Sequence, residues 1–67
     1  MKKITVNGNS LYWEENMNID LILKIKNYTF KMLVVKVDGK LIKKTEYSKT
    51  YVQPDANVKV IHLISGG

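Results

Sequence analysis

Few side chains in this 67-residue sequence could carry out chemistry. His62 is the only histidine, and the chain has no cysteine to share a metal with it. Metal sites need three or four ligands, so none is expected here. The lack of cysteine also excludes thiolate nucleophiles, disulfides and iron–sulfur clusters. Glu14 and Glu15 are adjacent, and neighbours in a strand point to opposite faces, which separates them as a carboxylate pair. Ser10, Ser48 and Ser65 have no base close by in sequence. No Gly-x-x-x-x-Gly-Lys or Gly-x-Gly-x-x-Gly loop is present to hold a nucleotide. The side chains point away from an enzyme and from a bound cofactor.

The end of the chain is the remaining candidate. It closes on Ile64-Ser65-Gly66-Gly67. Glycines have no side chain to pack and cost the most backbone entropy to order, so residues 65–67 are expected to form a flexible tail. Frayed ends and linkers share this composition. The one positive use of such a tail is slimness. A backbone without Cβ atoms can thread a narrow channel and present the carboxylate of Gly67 to another protein's active site.

Charge adds a second, weaker theme. Eleven basic residues against six acidic ones give a net charge of +5, which suits a polyanion or an acidic protein partner. All eleven are lysines, spread along the chain in runs no longer than two. Without arginine the planar fork for phosphate and guanine is missing, which counts against a nucleic-acid-binding module. Hydrophobic residues at 45% and charged residues at 25% are ordinary globular values. The length suits a single domain over residues 1–67 with a thin core. No apolar run is long enough for a signal peptide or a membrane span, so a cytoplasmic protein without a membrane partner is expected.

The elements that must carry the tail are well punctuated. Asn7-Gly8 and Asp38-Gly39 are hairpin signals, because a type I′ turn needs positive φ at both central residues. Ile4 and Val6 alternate before the first turn, with Leu11 and Trp13 after it. Leu33, Val35 and Val37 alternate before the second, with Leu41-Ile42 after it. Between the hairpins the spacing predicts a helix over residues 18–27, with Asn18 as N-cap, Asp20 in the first turn and Asn27 as a left-handed end. A buried strand is the competing reading of that apolar run. Residues 43–51 read as a loop with a helical turn near Glu46-Tyr47, and residues 54–57 as a turn. Residues 58–64 form a last strand, apolar enough for the middle of a sheet. Met17 and Met32 read as gap-fillers in the core, and Trp13 and the tyrosines as core and rim.

Strand–strand–helix–strand–strand–strand ending in Gly-Gly resembles the ubiquitin-like β-grasp fold, an α+β arrangement with a mixed four- to five-stranded sheet and one main helix across one face. Within it the chain most resembles the sulfur carriers of thiamine thiazole biosynthesis. The residues that carry the likeness are the Asn7-Gly8 hairpin and Asn18-Ile19-x-x-Ile22-Leu23 at the helix start. Val35-Lys36-Val37-Asp38-Gly39 and the closing run from Val58 to Gly67 complete it. The resemblance implies that a partner enzyme adenylates Gly67 with ATP. A cysteine desulfurase or other donor then supplies sulfur, and the resulting thiocarboxylate feeds thiazole synthase. It further implies that Ser65 and Gly66 thread into the partners and that Leu63 and Ile64 help to dock them. Other possibilities in this class are a carrier like the small subunit of molybdopterin synthase and a ubiquitin-like modifier.

Overall fold

Asn7-Gly8 and Asp38-Gly39 both reverse the chain with positive φ at each position, 51° and 83° in the first turn, 50° and 83° in the second. They do so in a computed structural model of the chain that describes residues 1–29 and 32–63. A Cβ added at Gly8 or Gly39 would meet nothing within 4 Å, so it is the left-handed backbone that calls for glycine there. The first turn joins β1 (Lys3–Val6) to β2 (Asn9–Tyr12), paired from Lys3↔Tyr12 to Val6↔Asn9. The second joins β3 (Leu33–Val37) to β4 (Lys40–Ile42), paired from Val35↔Ile42 to Val37↔Lys40.

The apolar run between the hairpins is a helix, α1 (Ile19–Ile25). Asn18 caps it, its Oδ1 accepting from the Leu21 N–H at 2.8 Å. Asn27, at φ 58°, turns the chain out of it. The helix is shorter than the 18–27 reading because the flanking residues serve as caps. Two turns would be marginal in isolation. Ile19 and Ile22 are fully buried, each contributing about 1.5–3 kcal/mol. Backbone bonds tie the same region to the long loop, from Ile19 N–H to Tyr47 O at 3.2 Å and from Val52 N–H to Met17 O at 2.9 Å.

A 3₁₀ turn (Lys44–Glu46) leads through that loop to β5 (Asn57–His62). The sheet order is β2-β1-β5-β3-β4. The last strand therefore lies in the middle, parallel to β1 (Thr5↔Asn57, Val6↔Val58) and antiparallel to β3 (Leu33↔His62 to Val37↔Val58). This is a β-grasp: a five-stranded mixed sheet with one helix over one face. Ile4, Val6, Val35, Val58 and Val60 bury the covered face against Ile19, Ile22 and Met17.

Four local expectations are corrected. Met32 is 51% exposed and so is not a core filler, whereas Met17 is buried as read. Glu14 and Glu15 follow β2, both exposed, and neither is in a strand. The turn before β5 closes one residue earlier than read, from Ala56 N–H to Gln53 O at 3.2 Å, with Asp55 at φ 69°. The last strand ends at His62, ahead of the 58–64 reading; Leu63 follows it, and Ile64 lies outside the described residues.

Candidate functional site

The candidate site is the end of β5, from which residues 64–67 continue. Asn7 shows how the strand is held. Its Oδ1 accepts from the Val60 N–H at 2.8 Å, and its Nδ2 donates to the Val60 carbonyl at 3.1 Å. The amide thus presents one acceptor and one donor, as a strand backbone would. Its backbone N–H also donates to Val58 O at 2.9 Å. The grip of β1 on β5 therefore reaches beyond the end of β1. On the other side, β3 pairs with β5 as far as Leu33↔His62, and the Leu63 N–H continues the ladder to Met32 O at 3.0 Å. The strand that leads to the tail is held on its β3 flank as far as Leu63 and on its β1 flank as far as Val60.

Beside Leu63 a groove of about 400 Å³ opens, lined by Leu23, Tyr28, Met32, Leu33 and Tyr47, with Asp20, Thr29 and Lys44 as its polar members. Burial pushes the Tyr47 phenol above its usual pKa, and the negative charge of Asp20 adds to the shift. Tyr47 thus adds no charge to the groove at physiological pH. Apolar walls with few polar groups suit a hydrophobic side chain.

Of the residues singled out from sequence, Leu63 stands at this groove, 42% exposed. Ile64, Ser65, Gly66 and Gly67 lie outside the described residues. His62 is exposed on β5, and the described residues hold no group of three His, Cys, Asp or Glu that could bind a metal. Sequence reasoning missed Asn7 as a latch, because its type and position signal only the turn. It also missed Tyr47 and Met32 as groove walls, for which the local pattern carries no signal.

The model of the ThiS family matches residues 3–67. The chain belongs to the ThiS family. Among solved structures, the thiamine biosynthesis protein ThiS from Geobacter metallireducens is similar with a TM-score of 0.78. The likeness covers 97% of this chain and 99% of that one at 20% identity, and at that identity it shows the shared fold. No curated protein matches the chain. The β-grasp of this ThiS-family chain has, among its described residues, no helix long and apolar enough to cross a membrane.

Proposed function

We propose that this ThiS-family chain is a sulfur carrier of thiamine thiazole biosynthesis, loaded at the carboxylate of Gly67. The observation that carries the reading is the extent of the family match, which runs through Gly66 and Gly67. The two-sided hold on β5 supports it, since a rigid strand aims whatever follows it.

A carboxylate is a poor electrophile, because its charge is delocalised and the leaving group would be oxide. An adenylating partner enzyme overcomes this with ATP, forming an acyl-adenylate on Gly67 and releasing pyrophosphate. A persulfide from a cysteine desulfurase or other sulfur donor then attacks the acyl carbon and expels AMP. A thiol cleaves the S–S bond of the acyl disulfide, taking one sulfur into a new disulfide and leaving a thiocarboxylate on Gly67. Thiazole synthase receives that sulfur. The carrier supplies no acid or base, and ATP belongs to the adenylating enzyme. Ser65 and Gly66 keep the approach narrow, while Leu63 and Ile64 offer apolar surface to the partners. Work with ATP and reducing thiols places the carrier in the cytoplasm.

Intact mass after incubation with ATP, the adenylating enzyme and a sulfur source tests this reading. The expected product gains the mass of sulfur minus that of oxygen, located on Gly67 by fragmentation. Location matters because oxidation of Met1 or Met32, both exposed, gives nearly the same shift. A chain lacking Gly66 and Gly67 should unfold at the same temperature and take up no sulfur. Loading of that shortened chain would overturn the mechanism.

A further inference from the structure

Asparagine is a chemically labile residue, and of the six in this chain only Asn7 is followed by a glycine. The others precede Ser10, Met17, Ile19, Tyr28 and Val58, whose side chains screen their own backbone nitrogens. The Gly8 nitrogen has no such screen. Asn7 and Gly8 are both exposed, and a Cβ built on Gly8 would meet nothing within 4 Å. The Gly8 side of the turn is thus open to water and base.

What restrains Asn7 is the grip of its own side chain on β5. Its Oδ1 accepts from the Val60 N–H at 2.8 Å and its Nδ2 donates to the Val60 carbonyl at 3.1 Å. The Tyr28 hydroxyl lies a further 3.4 Å from Nδ2. Attack by the Gly8 nitrogen requires Cγ to rotate towards it and Nδ2 to depart. An amide bonded at both ends can do neither.

We propose that Asn7 is a site of spontaneous deamidation whose rate is set by how often β5 lets go of it. Once the amide is released, the Gly8 nitrogen gives its proton to hydroxide and bonds to Asn7 Cγ. The Cγ–Nδ2 bond breaks, and the amide leaves as ammonia with a proton from water. Water then opens the resulting succinimide ring. Cleavage at Cγ gives aspartate, and cleavage at the Asn7 carbonyl carbon gives isoaspartate, whose main chain runs through Cγ. No atom is oxidised or reduced. Aspartate has no donor for the Val60 carbonyl, and isoaspartate lengthens the main chain inside a turn of fixed geometry. Either product loosens the strand that leads to the tail, and refolding does not reverse it. The proposal is independent of the sulfur-carrier reading.

The test follows ammonia loss in the full chain, folded and in guanidinium chloride above the unfolding midpoint, at neutral and mildly alkaline pH. Peptide mapping locates the product by a gain of the mass of oxygen minus that of NH, and chromatography separates isoaspartate from aspartate. The unfolded chain should convert at Asn7 at least about tenfold faster than the folded one. The folded rate should climb with denaturant below the midpoint, as opening becomes more frequent. Both rates should rise with pH, because hydroxide starts the reaction. Isoaspartate product returned to buffer should melt at least about 4 °C lower than the unaltered chain and exchange its Val60 amide hydrogen faster. Equal rates in the folded and unfolded chains overturn the proposal. So does a folded rate that denaturant leaves unchanged, or conversion first at another asparagine. A product with an unaltered Tm and unaltered Val60 exchange overturns the link to β5.

Discussion

The two hairpin turns share one backbone and differ in one atom's chemistry. Asn7 and Asp38 occupy equivalent positions at nearly equal φ, each followed by a glycine at 83°. Both reach the central strand β5, from opposite sides. Asn7 uses its amide both ways, accepting from and donating to Val60. Asp38 only accepts with its side chain, from the Asn57 N–H, and its own backbone N–H donates to Asn57 O at 2.8 Å. As turn formers the two residues are interchangeable. What distinguishes them is what the strand leaves open. At Asn57 the backbone of Asp38 satisfies the carbonyl, so a carboxylate is enough; at Val60 one side chain must serve both groups.

That contrast ranks the substitutions. Asn7→Ala should be the most damaging, losing both bonds to Val60 and placing a Cβ residue with no local compensation at positive φ. Its expected cost is about 2–3 kcal/mol in urea unfolding. Asn7→Asp keeps the turn and the acceptor but cannot donate to the Val60 carbonyl, at a cost of about 1–2 kcal/mol. The reciprocal Asp38→Asn keeps an oxygen for the Asn57 N–H and should change stability by less than about 0.5 kcal/mol. Equal effects of the two reciprocal swaps would break the comparison. A loss in Asn7→Asp that matches Asn7→Ala would sharpen it, by assigning most of the latch to the donor.

Much of the fold is legible in the sequence because its signals are local. Two residues define each hairpin, Asn18 and Asn27 bound the helix, and the apolar run after Asn57 marks a strand buried between neighbours. What escapes is set by contacts between distant residues. Met32 has the composition of a core residue and lines a groove, since burial depends on what packs above it. Asn7 and Val60 are 53 positions apart, and no window along the chain connects them. The facing of Lys36 and Lys59 follows from the register between β3 and β5, which two separate strands do not announce. For the candidate site, the sequence points to the last residues and to Leu63, but not to the groove beside it.

The central place of β5 also bears on how fast the molecule assembles. Each hairpin can close within microseconds from neighbouring residues. They share no hydrogen-bonded ladder with one another, because β5 separates β1 from β3. Thr5 meets Asn57 across a separation of 52 residues, and such closure must be achieved before the central ladder yields any return. The topology therefore predicts that pairing of the tail-bearing strand with both hairpins forms late, which refolding rates of β5 variants would test. Before β5 pairs, the inner edges of β1 and β3 are the two strand edges that another chain could occupy, and in the folded chain β5 covers both.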